Sequence, residues 1–229
     1  MHGASLGPLK KILAAKKIDK LVCLGDFDTA DVIEEYMDLE QEYDAVTVPG
    51  NHEHAHFNKI AIDSAEMQKK GYSSIQLQVE LDSSLKCKEW VKNLLKEVKK
   101  TFKLDRIKND VLAIHGGLGG NTHGTPGELW NRMTTNVEVE KNLAAMKKNK
   151  IWLMLRGHDH VPQYIYSNPF RKMVIQTPKP GEKVLLSEEM IQIVNPGAYC
   201  DGYYATIDTD YPGEAAPVLI FHKFVVAKD

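Results

Sequence analysis

The chain has 229 residues, 43% of them hydrophobic, enough to bury one substantial core, as one large domain over 1–229 or as two small ones. A formal charge of −2 gives no global basic field, which argues against nucleic acid as a partner; short lysine clusters fall on helical stretches as solvated faces. Cys23, Cys87 and Cys200 are odd in number and far apart, against a disulfide framework and for a reducing, cytoplasmic setting; no apolar run reaches the roughly 20 residues of a membrane span.

In chain order, Leu6, Leu9, Ile12 and Leu13 recur at helical spacing and predict a helix over 5–17. "LVCLG" (21–25) is a short buried strand, and "DVIEEYMDLEQ" (31–41) a helix with Asp31 and Glu34 placed as a capping box. "AVTVPG" (45–50) is a second strand, and 56–106 carries helical segments such as "KEWVKNLLKEVKK". "VLAIHGG" (111–117) and "IWLMLRGHDH" (151–160) are strands separated by the helix "NVEVEKNLAAMKKNK". Beyond 160 the chain turns β-rich: "KMVIQT", "KVLLS", "MIQIVNPG", "YYATIDT" and "PVLIFHKFVV". Alternation followed by strands, without repeat or linker, predicts one α/β domain.

Polar constellations recur where apolar strands end: "GD" after LVCL, "GNHEH" after VTVP, "HGG" after VLAI, "GHDH" after IWLMLR. In open α/β sheets the carboxyl ends of strands lie side by side, so Asp26, Asn51, His52, His115, His158 and His160 are expected in one crevice. The adjacent glycines give each loop the backbone freedom to leave its strand sharply. Imidazoles with carboxylate and amide oxygens, and no cysteine, suit Mn, Fe, Ni or Zn at a shared metal site. The ligand count supports two metals with open positions.

Taken in order, these motifs resemble the calcineurin-like metallophosphoesterase superfamily, whose signature runs D-x-H, G-D-x-x-D, G-N-H-[DE], H, G-H-x-H. "VNPGAY" (194–199) followed by "YYATID" is similar to its small bacterial and archaeal phosphodiesterase branch. The resemblance implies a four-layer α-β-β-α sandwich with two mixed sheets. It implies that Asp26 bridges two ions, that Asn51, His115 and His158 complete one, and that His160 and His2 bind the other. It also implies that His52 faces the phosphate and acts on the leaving oxygen, oriented by Glu53, while a metal-bridging hydroxide attacks.

Two positions depart from the family pattern. Thr29 stands where the family has an aspartate, with Asp28 and Asp31 on either side, and is expected as a turn or cap residue. At the start, "MHGASLGPLKKIL" matches D-x-H-G and its helix with the aspartate and its preceding strand missing, as expected of a truncated or miscalled start, or of a protein that lacks one ligand and a central strand. "GDxVDRG" and "RGNHE" of the protein phosphatases are absent, which disfavours phosphoprotein as substrate.

Of the remaining polar residues, His54 and His56 are expected in an exposed loop and His123 beside the substrate. Arg132 is expected in a surface ion pair, Arg156 in a buried one, Asp159 facing away from the metals and His222 in a structural place. The leading expectation is a metallophosphoesterase hydrolysing a phosphodiester or a small phosphorylated compound. The alternatives are a catalytically silent scaffold of the same fold that binds protein partners, and a nuclease, which the small size and lack of a basic tract disfavour.

Overall fold

The structure, a computed structural model, describes residues 4–58, 84–118, 126–168 and 171–226. Its first part runs α1 (Gly7–Ala15), β1 (Lys20–Cys23), α2 (Ala30–Glu42), β2 (Asp44–Thr47), α3 (Asn51–Phe57) and α4 (Leu85–Leu94). The middle is β3 (Lys99–Phe102), β4 (Val111–Ile114), α5 (Gly127–Trp130), α6 (Asn136–Lys148) and β5 (Leu153–Leu155). The last part is all strand: β6 (Gln163–Asn168), β7 (Arg171–Gln176), β8 (Lys183–Leu185), β9 (Ile191–Asn195), β10 (Tyr203–Asp208) and β11 (Val218–Lys223). A short 3-10 turn, Tyr199–Asp201, precedes β10.

Three apolar clusters set the layers. The first joins Leu9 and Leu13 of α1, Ile33 and Tyr36 of α2, and Cys87 and Val91 of α4 against the β1 side. The second lies between sheets, with Val46, Val48 and Phe221 from one layer and Val111, Leu153 and Val194 from the other. The third packs Val139, Leu143 and Met146 of α6 on Leu112, Met154 and Ile193. The order is therefore helix, sheet, sheet, helix, the four-layer sandwich that the family resemblance implies.

One sheet has six strands in the order β3-β4-β5-β9-β6-β7. Its centre is parallel, β4 with β5 and β5 with β9, while β3, β6 and β7 pair antiparallel at the flanks. The facing layer differs from the single second sheet expected. It consists of a parallel pair, β1 with β2, and an antiparallel set, β10-β11-β8. Among the described residues no ladder joins β1 to β10. Both strands instead line an open trough of about 1050 Å³ that runs past Leu155 and Leu219 toward Asp26 and His158.

Several boundaries correct the sequence reading. The α2 cap is Thr29, whose side chain accepts from the Val32 amide at 3.4 Å, and Asp31 sits inside the first turn. A capping box at Asp31 and Glu34 would need Asp31 outside the helix; the cap role expected of Thr29 holds. "GNHEH" is not a loop, since Asn51 opens α3. The lysine-rich helix ends at Leu94, and its last lysines, Lys99 and Lys100, belong to β3. None of the described helices is long and apolar enough to cross a membrane.

Candidate metal centre

The site forms where β1, β2, β4 and β5 end. Gly25, with φ +87°, turns the chain after β1, and Asp26 follows in the left-handed region at φ +64°. The turn after β2 packs against it backbone to backbone. A Cβ on Gly50 would lie 2.0 Å from Asp26 Oδ1, and one on Gly25 would lie 2.3 Å from the Gly50 nitrogen. Only glycine permits that approach at both places. From the other sheet come His115, directly after β4, and His158, three residues after β5 with φ +70°.

Four ligand atoms converge there. Asn51 Oδ1 lies 2.9 Å from His158 Nδ1 and 3.1 Å from His115 Nε2. His115 Nε2 is 3.2 Å from both His158 Nδ1 and Asp26 Oδ2. Asp26, Asn51 and His115 are each at least nine-tenths buried. His115 Nδ1 faces the Leu24 carbonyl at 2.5 Å, and a carbonyl only accepts, so Nδ1 donates to it and Nε2 is the nitrogen turned to the cluster. Burial, with help from His115, outweighs the pull of Asp26 and lowers the His158 pKa to about 2, so that ring is neutral. Lone pairs gathered around one buried point, with a carboxylate among them, fit a divalent cation. Asp26, His115 and His158 form a group whose ligand atoms all lie within 4.8 Å of one another.

These residues are matched by a known family. The profile of the calcineurin-like phosphoesterase superfamily domain fits residues 1–210. The chain belongs to that superfamily. It is a metallophosphoesterase, a metal-dependent hydrolase of phosphoric esters. Among solved structures, a metallophosphoesterase from Sphaerobacter thermophilus is similar at a TM-score of 0.69, with 21% identity over 98% of this chain and 85% of that one. No curated protein matches the chain.

Within this metallophosphoesterase, His52 stands beside the cluster but outside it. Its amide donates to Asp26 Oδ1 at 3.3 Å, and its Nδ1 meets Asp28 Oδ1 at 2.5 Å. Burial pulls the His52 pKa down, but the Asp26 charge, the Asp28 hydrogen bond and Glu53 together raise it to about 9.

Glu53 corrects an expectation. Its carboxylate accepts backbone N–H groups, from Gly50 at 2.5 Å, from Asp26 at 3.1 Å and from Phe27. It therefore fastens the turns after β1 and β2 together, and the side-chain hydrogen bond to the His52 ring comes from Asp28. The sequence placed Asp28 only as a neighbour of Thr29. Its two-residue offset from Asp26, instead of the family's three, hid it from motif matching.

His160, at φ +58°, lines the trough with His158 but is not in the cluster around Asn51. His2 and His123 lie outside the described residues. Arg156 is fully buried, as expected, and its guanidinium reaches Asp159, the Gly116 carbonyl at 2.8 Å and the Asn131 carbonyl at 3.3 Å. Asp159 also accepts the Met133 amide at 3.0 Å, so the aspartate between the two histidines faces away from the metal cluster. Asn195 of "NPGA" donates to the Gly157 carbonyl at 2.9 Å and steadies the turn that carries His158. His222 stacks on Tyr204 and pairs with Thr206 at 2.8 Å, the structural place expected. His56 is buried, not exposed in a loop.

Proposed function

We propose that this chain, read as one domain over 1–229, hydrolyses a phosphodiester or a small phosphorylated compound at a dinuclear centre. Asp26, Asn51, His115 and His158 would hold one ion, and Asp26, His160 and His2 the other. Mn, Fe, Ni or Zn suits those donors. When bound, the ions supply Lewis acidity to the phosphoryl group and an acidified water.

The observation that carries this reading is the pairing of His52 with Asp28 at 2.5 Å beside the ligand cluster. Asp28 accepts from Nδ1 and fixes the ring, and it favours the protonated form. A histidine so held, with its pKa raised to about 9, carries a proton at neutral pH and can give it to a leaving oxygen. Burial of His52 and its neighbours keeps water from competing for that proton. Glu53 and the Arg156–Asp159 pair act earlier, by holding the turns that present the ligands.

The test is hydrolysis of bis(p-nitrophenyl) phosphate and p-nitrophenyl phosphate with and without added Mn²⁺. Metal-dependent turnover of the diester that falls by about 10²-fold or more in His52→Ala, with metal content kept, supports the reading. Turnover indifferent to His52, or metal lost along with it, overturns it.

A further inference from the structure

α3 carries a second metal-ligand pattern, of which the phosphoesterase site draws on His52 alone, and not as a ligand. Its residues read His52-Glu53-His54-Ala55-His56, two histidines four apart with a glutamate after the first. On a helix, positions i and i+4 share one face, and this spacing is a recurrent way to chelate zinc with two imidazoles. Here the two rings stand 6.0 Å apart between centroids, nearly perpendicular. A third donor arrives from another element, because Asp28 is already in contact with His52.

Asp28, His52 and His56 each offer a ligand atom, and the three atoms all lie within 4.8 Å of one another. Their residues are 7%, 5% and 4% exposed, and the set shares no member with Asp26, His115 and His158. A tetrahedral zinc holds its ligand atoms at about 2.0–2.2 Å, hence roughly 3.5 Å from one another. Small side-chain adjustments reach that spacing. Three protein donors leave a fourth position for water.

We propose that Asp28, His52 and His56 form a separate cation site for zinc or a similar borderline divalent ion, and that filling it switches phosphoester hydrolysis off. Two imidazoles and one carboxylate favour zinc over the harder manganese and magnesium. An ion taken up by one ring nitrogen of His52 displaces that nitrogen's proton to solvent, and the N–H left on the other nitrogen of a neutral, cation-bound imidazole is a far weaker acid toward the leaving oxygen than an imidazolium. The inhibitory half rests on the reading of His52 as that acid; the site itself does not. The pattern carries no peptidase chemistry, since Glu53, which would be the base, is fully buried and engaged by backbone amides.

The experiment takes the full chain loaded with Mn²⁺ and titrates Zn²⁺, counting bound zinc after desalting and following diester hydrolysis. Wild type is expected to hold one zinc more than His56→Gln and to lose at least tenfold in rate. The rate ratio with and without zinc in His56→Gln should stay near one. Zinc-edge anomalous scattering on wild-type crystals answers without any variant, should His56→Gln fail to fold. A peak among Asp28, His52 and His56 supports the site; zinc found only beside Asp26, His115 and His158, or equal counts in both proteins, overturns it. Zinc seated there with hydrolysis undiminished overturns the switch, and the acid role of His52 with it. If no ester is hydrolysed with any metal, the proposed function fails while count and peak still settle the site.

Discussion

Asp26 divides its oxygens between two tasks. Oδ1 accepts the His52 amide, and Oδ2 faces His115. Asp26→Ala should therefore empty the centre, whereas Asp28→Asn should leave its metal in place and lower kcat by about 10- to 100-fold through loss of the fixed, protonated His52. Metal analysis beside steady-state kinetics checks both; metal lost from Asp28→Asn would show that Asp28 supports the ligands and not the acid. A pH effect belongs to the same histidine. Its folded pKa of about 9 lies above the ordinary 6.5, so its contribution is fully present below about 6.5 and is lost as pH rises through 9. Metal-free protein should lose up to about 3 kcal/mol between those values, and His52→Gln should lose much less. Urea unfolding at pH 6 and pH 9.5 measures the difference.

At the scale of elements, the ends of strands were legible and the polar elements were not. "LVCL", "VLAI" and "IWLML" announce β1, β4 and β5 because buried parallel strands are apolar on both faces. Each is followed by glycine or histidine where the chain must turn into the site. α3 escaped because Asn51, His52, Glu53 and His54 show no apolar period; tertiary contacts and the Glu53 cap hold that helix, not amphipathicity. β3 escaped because its lysines continue the charge pattern of α4. The pairing of Asp28 with His52 could not be read at all, since 24 residues separate them and only the contact of two turns brings them together. One cross-element tie gives a stability prediction. Arg156 and Asp159 bind the turns at Gly116, Asn131 and Met133, and removing one partner strands a buried charge. Asp159→Ala should cost roughly 3–5 kcal/mol and weaken metal binding through His115 and His158. Thermal unfolding with and without Mn²⁺ tests it; an undiminished metal-induced shift in Tm would confine the pair to structure.

Across the whole molecule, the alternation of helices and strands announced an α/β domain and the family resemblance its four layers, while the split in the facing layer followed from neither. Pairing between β1 and β10 depends on edges, and edges leave no trace in apolar periodicity. The open trough between them leaves two unlike halves. The six-stranded sheet has its centre flanked by paired strands and covered by α6, and its central strands should exchange amide hydrogens only on global unfolding. β1 and β10 each have an edge turned to the trough and should exchange through small local openings. The proposed ligands are shared between the halves, Asp26 and Asn51 from the β1–β2 side, His115 and His158 from the other. A cation at their meeting point is thus a clasp, a non-covalent rivet between layers that the backbone leaves unstitched on that side. Deuterium uptake should fall on adding Mn²⁺ in residues 20–30 and 44–52, and hardly change in β4 and β5. Uniform slowing over the whole chain would mean the metal steadies the fold as one body instead of fastening its looser half to its firmer one.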